Sequence, residues 1–383
     1  MVARQRDLLS ALVEARAELI LDTNVAELSC VGRFSGAAKT APWANPGAVL
    51  TADDLSPTAQ RDVLGQIARF AVEQGFHAVQ APTHLLVDAA DSMFSVDLTS
   101  VSGLRTALDQ NGGRHIGIDY PLIIPNGLLR DAAQLAKLID GLASVHFDNL
   151  WLRVSGFGAD ASAAGLRRYI QALNRFHRLQ RPIVADEVGG LAGLATVAFG
   201  AAGGICHGAA EKERFSAAGW NSPNVGGGGG HEKRVLVEGL DRLLSVQQIH
   251  ILMASPGARR HFSCGDPSCC PRGLDDTLKD PKAHYLRQRQ AQVDELTRVP
   301  DLRRTKHFLD KRLAPVRAGA EQAAKLNVSD ERLSKMLVSN SMRLERTQKV
   351  LKTLNQALSG EDRSAQTICR ERSAGTRARD IGR

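Results

Sequence analysis

Seven short apolar runs closed by glycine, proline or aspartate punctuate the first two thirds of the chain: 18–22 (ELILD), 75–80 (GFHAVQ), 115–119 (HIGID), 149–154 (NLWLRV), 182–186 (PIVAD), 203–207 (GGICH) and 248–254 (QIHILMA). Each is apolar along its whole length, the pattern of a strand buried on both faces. An eighth run, 233–238 (KRVLVE), keeps both strand and helix spacing, so its type stays open. Between these runs, 58–74, 126–145, 161–179 and 190–199 carry apolar residues three and four apart, as amphipathic helices do. The alternation predicts an α/β fold with a parallel sheet covered by helices, and about eight such units in 1–280 fit a closed (β/α)8 TIM-like barrel. After the first run the chain reads TNVAELSCVGRFSG, without the glycine fingerprint or P-loop that an open nucleotide-binding sheet carries there. The connection 23–57, with Pro42, Trp43, Pro46 and Gly47, is too long for a turn and is expected to form a lid over the strand-end face.

Beyond the barrel, 281–358 reads as a basic helical appendage. Asp280 is placed to cap a helix that has Pro281 at its first position, and two longer helices follow over 301–326 and 329–358. Their apolar stripe, including Leu333, Leu337, Leu344, Leu351 and Leu354, predicts a bundle packed on the barrel or on a second copy of the chain. The segment 359–383 sets six arginines among small polar residues and is expected to be a disordered basic tail. The five glycines of 226–230 predict a mobile loop.

With 43% hydrophobic and 23% charged residues the composition is that of a globular chain, and no apolar run reaches the roughly 18 residues of a membrane span. The first 19 residues alternate charged and apolar positions and lack the apolar stretch of a signal peptide, so a cytoplasmic location is expected. The net charge of +8 is unevenly spread: 281–383 holds 23 Lys and Arg against 12 Asp and Glu, whereas 1–280 holds 26 against 29. Such asymmetry suits a polyanionic partner, tRNA or DNA, although long exposed helices carry Lys and Arg for solubility too.

Half of the six cysteines lie in HFSCGDPSCCPRG, within the cysteine-rich loop 261–273. Cys264, Cys269, Cys270 and His284, with His261 as a substitute, form a candidate zinc site, because thiolate and neutral imidazole are the ligands tetrahedral zinc favours. A Gly-Asp-Pro turn between the first two cysteines lets the chain fold back. This layout of barrel, cysteine cluster, helix-opening histidine and basic C-terminal region resembles the tRNA-guanine transglycosylase superfamily over about 186–296, and the GGLA of 189–192 is similar to a base-recognition segment of that family. The spacing differs from the family's CxCxxC, and its aspartate signatures are not intact. The resemblance implies a zinc-binding insertion, a basic surface that holds tRNA, and base exchange by one nucleophilic and one acid or base carboxylate, with Gly189 and Gly190 at the substrate.

Independently of that likeness, Asp22, Asp119, Asp186 and Glu187 are expected at strand C-terminal ends, where barrels keep their chemistry. Two carboxylates on one cleft can divide into nucleophile and acid, as cleavage of a glycosidic bond requires; an Asp there can equally cap the next turn. Asp119 and Asp186 are the expected pair, with Asp22 and Glu187 in reserve, since Glu187 points away from Asp186 if the strand continues. His207 and Glu211 share a helical spacing, and Arg259 and Arg260 follow the last expected strand, so these four are candidate substrate-binding residues. Trp43, Trp151 and Trp220 are candidates to stack a base. Three functions remain open: a transglycosylase-like enzyme on nucleic acid, a small-molecule lyase or hydrolase whose basic helices serve oligomerisation, and a noncatalytic partner-binding barrel.

Overall fold

The computed structural model describes residues 2–31, 40–45, 47–56, 59–209, 213–220 and 233–360. In chain order the elements are α1 (Val2–Glu14), β1 (Ile20–Leu21), α2 (Val25–Leu28), α3 (Val63–Glu73), β2 (Ala78–Gln80), α4 (Ser92–Gln110), β3 (Gly117–Pro125), α5 (Ala132–Leu142), β4 (Asn149–Ser155), β5 (Phe157–Gly158), α6 (Ala163–Phe176), β6 (Ile183–Asp186), α7 (Gly190–Ala198) and β7 (Gly204–Cys206). There follow β8 (Arg214–Phe215), β9 (Arg234–Val237), β10 (Arg242–Ser245), α8 (Val246–Ala254), α9 (Ala258–Phe262), α10 (Leu274–Lys279), α11 (Pro281–Arg298), α12 (Asp301–His307), α13 (Ala314–Ala324) and α14 (Glu331–Gly360). A π-helical turn, Phe308–Leu313, joins α12 to α13.

Six parallel strands lie in the order β1-β2-β3-β4-β6-β7 and curl as a half barrel. The first six strand positions read from the sequence are all present. The expected closure to eight is not seen among the described residues. The eighth run becomes β9 of an antiparallel hairpin with β10, register Leu236↔Leu243, and the expected strand 248–254 is helix α8. The cause is local: Ser245 Oγ accepts from Gln248 N and Gln248 Oε1 accepts from Ser245 N, a capping box that starts a helix where apolar content alone reads as a strand.

β3 continues to Pro125, so Asp119 is not at a strand end. The carbonyl of Asp119 points to β2 and accepts from Ala81 N. Pro121, two residues on, faces the same side, where β2 has already ended at Gln80, and its carbonyl takes the Thr83 hydroxyl instead. The missing proline N–H therefore breaks no ladder bond. Ile118, Tyr120, Leu122 and Ile124 pack beneath the helices, while Ile123 joins Ala26, Ala217 and Trp220 on the concave face.

The described parts of 23–57 are packed rather than lid-like: Trp43 is buried and donates Nε1 to the Thr23 carbonyl. Asp280 caps α11 by accepting from Ala283 N, as expected. The C-terminal helices share one hydrophobic core with the sheet and its helices, since Leu296, Phe308, Leu313, Leu333 and Leu344 belong to the same cluster as Leu152 and Ile170. The glycine run 226–230 and 361–383 lie outside the described residues. No helix among the described residues is long and apolar enough to cross a membrane.

Candidate strand-end cavity and metal centre

At the C-terminal ends of the strands lies a cavity of about 310 Å³, lined among others by Asp22, Gln80, Ile123, Arg153, Glu187, Arg214, Phe215 and Trp220. Asp22 follows β1, Gln80 ends β2, Arg153 stands near the end of β4, and Glu187 follows β6, so the parallel register itself gathers them. At its floor, Arg153 donates Nε to Asp186 at 2.6 Å and Nη2 to Asp22 at 3.1 Å. Burial opposes the Arg153 charge, but Asp186 and then Asp22 more than offset it and hold the guanidinium above its ordinary value. Burial also raises the Asp186 carboxyl, against the pull of Arg153. The Cys206 thiol, beside Asp186 in β7, is pushed up to about 12 by burial and then by Asp186 and Glu187, so it is a neutral thiol and not a nucleophile.

The four expected carboxylates separate. Asp22 and Glu187 line the cavity; Asp186 lies fully buried beneath it, engaged by Arg153. Asp119 is elsewhere: its oxygens accept from Asn149 Nδ2 and Trp151 Nε1, each at 2.8 Å, and its register partner Asn149 is four residues before Arg153. At about 3.3 Å per residue that sets Asp119 roughly 13 Å below the Asp186 level along the sheet. The Asp119–Asp186 pairing is therefore corrected, because β3 runs past Asp119 instead of ending there. Glu187 has φ 58°, in the left-handed region that a non-glycine residue occupies at a cost of order 1–2 kcal/mol. The strand ends at Asp186, and this turn brings the next side chain to the cavity. Gln80 Oε1, buried in the same lining, has no hydrogen-bond partner among the described residues.

The glycines of the GGLA segment take the chain's own carboxylates. A Cβ on Gly189 would stand 2.5 Å from Glu213 Cγ, and one on Gly190, at φ 61°, would stand 2.9 Å from the Asp241 carboxylate. Asp241 Oδ2 accepts from Leu191 N at the start of α7, filling the anion position of that helix N-terminus. Both carboxylates are held by Arg289 of α11, at 2.7 Å to Glu213 and 3.1 Å to Asp241. Tyr285 donates its hydroxyl to Glu213 at 2.9 Å, so the His207 Nδ1 at 2.8 Å donates to Tyr285. Burial keeps His207 below its ordinary value, as a neutral imidazole. Gly189, Gly190 and His207, expected at the substrate, thus face this interior network and are not among the residues that line the strand-end cavity. Arg259 and Arg260 are exposed on α9, away from the strand-end cavity, because 248–254 is a helix and no strand delivers them there. Glu211 lies outside the described residues.

The sulfur and nitrogen atoms of Cys264, Cys269, Cys270 and His284 all lie within 4.8 Å of one another, as a metal ion requires. Asp266 makes the turn: its carboxylate accepts from Ser268, and its carbonyl accepts from Cys269 N and Cys270 N, which folds the two adjacent cysteines back. His284 donates Nε2–H to the Leu236 carbonyl at 3.0 Å, which leaves Nδ1 as the lone-pair nitrogen facing Cys270 Sγ at 3.4 Å and Cys269 Sγ at 3.5 Å. Thr277 Oγ1 and Gln288 Nε2 donate to the sulfurs of Cys270 and Cys264. Burial pushes the Cys264 thiol up to about 12 and the Cys270 thiol upward, so in the metal-free chain these are protonated, unreactive thiols. The residues present fit a metal ion. His261 is exposed and outside the cluster.

Sequence reasoning passed over a buried pair behind β2: His84 Nδ1 meets Asp97 Oδ1 at 2.6 Å, and Asp97 also accepts from His84 N. Asp97 sits inside α4, a helix that the alternation of apolar runs does not predict, and a separation of thirteen residues between the two side chains gives no local sign of the contact. No family model, curated protein or solved structure is matched by this chain.

Proposed function

We propose that the chain is an enzyme of the barrel class that acts on the glycosidic bond of a nucleoside unit, with Asp22 and Glu187 as its carboxylate pair. The observation that carries this reading is the left-handed backbone at Glu187, a strained conformation that delivers a second carboxylate to the cavity already holding Asp22. Two carboxylates on one polar cleft are what attack at the anomeric carbon and protonation of the leaving group require. Arg153, held between Asp186 and Asp22, orients Asp22 as nucleophile or base, and Gln80 Oε1 is a ready acceptor for a sugar hydroxyl. Trp220 and Phe215, edge to face at 5.2 Å, offer an aromatic wall for a base.

Zinc is the ion we assign to the Cys3His cluster. A tetrahedral ion with Zn–S about 2.3 Å and Zn–N about 2.0–2.1 Å sets S···S near about 3.8 Å and S···N near about 3.6 Å. Cys269 and Cys270 stand 3.7 Å apart, and each is 3.4–3.5 Å from His284 Nδ1. Four protein ligands make it a closed, structural site.

A free nucleoside is favoured over tRNA or DNA, because part of the C-terminal basic charge is taken up within the chain: Arg289 is buried against Glu213 and Asp241, and Arg304 and Arg312 pair with Asp301 and Glu238. The test is base release from a panel of purine and pyrimidine nucleosides, with tRNA and duplex DNA alongside. Asp22→Asn and Glu187→Gln should each lower kcat by about 10³ or more while unfolding is unchanged. Base release at wild-type rates by both variants, or none from any substrate by the parent, overturns the reading.

A further inference from the structure

We infer that metal loading at the Cys3His cluster holds one wall of the strand-end cavity in place, acting through α11 as a lever. The inference rests on the zinc assignment but not on the nucleoside substrate.

His284 and Tyr285 are consecutive. The imidazole closes the cluster, and the phenol reaches the opposite way to Glu213 Oε1 at 2.9 Å. One turn on, Arg289 grips the same Glu213 oxygen at 2.7 Å. Glu213 begins the segment whose next residues, Arg214, Phe215 and Ser216, line the cavity and lead to Trp220. The Glu213 carbonyl accepts from Ala159 N at 2.8 Å and from Gly189 N, two residues beyond Glu187. Both stretches that carry wall residues, 187–189 and 213–220, therefore meet at Glu213, and Glu213 is held to α11 by a phenol and a guanidinium.

At that end α11 is fixed by its cap, by the β9–β10 hairpin and by the cluster. Pro281 and the Asp280 cap start the helix, and His284 donates to the Leu236 carbonyl of the hairpin. The loop of Cys264–Cys270 is otherwise tied to α11 by only a few bonds: Gln288 to Cys264 Sγ, Arg287 to the Cys269 carbonyl, and the sulfur contacts of His284. Without an ion the sulfur contacts are weak hydrogen bonds. With an ion, Cys264, Cys269, Cys270 and His284 would be joined by four coordinate bonds, and metal binding free energy would become structural free energy. Segment 213–220 pairs with β5 over only two residues, its Ala217 N donates to the Ser155 hydroxyl, and Ala217 and Trp220 pack against Ile123. Glu213, at the start of the segment, is the point at which α11 holds it.

The experiment compares amide hydrogen exchange of 213–220 in protein loaded with one equivalent of zinc, in the same protein after chelation, and in the variant Tyr285→Phe, with metal content measured on each sample. Expected is at least tenfold faster exchange over 213–220 after chelation, with β3 and β4 unchanged, and a smaller acceleration confined to 213–220 in Tyr285→Phe while that variant keeps its zinc. Full-chain unfolding on chelation would leave Tyr285→Phe as the deciding sample: retained zinc with unchanged exchange overturns the lever. Zinc bound, and exchange over 213–220 indifferent to its removal, overturns the inference but leaves the zinc assignment standing. No metal in any sample overturns the zinc assignment and the inference with it, and leaves the nucleoside reading to its own assay.

Discussion

Two arginines in this molecule each bridge two carboxylates, and they do opposite things. Arg289 lies between Glu213 and Asp241 with all three side chains at most 8% exposed, sealed by Tyr285 and Gln292. Arg153 lies between Asp186 and Asp22, of which the first is buried and the second is 39% exposed at the mouth of the cavity. The same three charges form a structural tie in one place and a candidate reactive floor in the other. The difference is solvent: a fully desolvated ion triad must satisfy every oxygen internally, while one with a wet end keeps a carboxylate able to meet a ligand. A net charge or a motif carries no information about which case applies.

The largest expected effect tests the sealed triad. Arg289→Met leaves two carboxylates buried without a counter-ion, and breaking such a pair costs about 3–5 kcal/mol, read as a lowered midpoint in urea unfolding. Arg153→Met should cost less, because Asp22 turns to water and only Asp186 is left. Burial already raises the Asp186 carboxyl, so in that variant the folded state binds a proton more tightly than the unfolded chain does; stability is greatest below the ordinary carboxyl value and declines as pH rises through the raised one. Equal losses for the two variants at pH 7 would erase the distinction between sealed and open triads.

Gly190→Ala comes next. The substitution forces a Cβ into a φ of 61° and to 2.9 Å from the Asp241 carboxylate, and about 1–2 kcal/mol is expected from the backbone alone. Glu187→Gly acts in the other direction at the open site: it relieves the left-handed strain and should raise stability by about 0.5–1 kcal/mol while base release is lost. A Glu187→Gly protein that is less stable would mean the turn is structural and unrelated to the cavity.

The smallest effect is a pH slope. Burial holds His207 below its ordinary value in the folded chain, so the unfolded chain binds the extra proton first. Stability from this group is complete above about pH 6.5 and falls as pH drops below it. His207→Asn should flatten the unfolding free energy between pH 6.5 and 5 by up to about one proton, an effect that a slope unchanged from wild type would refute.

Much was legible in the chain alone. The strands 18–22, 75–80, 149–154, 182–186 and 203–207 announce themselves because a strand covered on both faces must be apolar throughout, and the cluster Cys264, Cys269, Cys270 and His284 because a turn at Asp266 and a cap at Asp280 are local chemistry. The helix α8 was also written locally, in the Ser245–Gln248 capping box, but its apolar content drew the reading toward a strand. What no local pattern held is register and burial. Asp119 and Asp186 look alike in sequence, yet one is four residues down the sheet and closed by Asn149 and Trp151, and the other sits beneath a cavity. Gly189 and Gly190 read as a ligand cradle until Glu213 and Asp241 fill it from 24 and 51 residues away. Sequence determines which side chains carry charge and which backbone turns they permit. Only the tertiary structure decides which of those charges is left facing water, because solvation depends on what packs over a group and not on its neighbours along the chain.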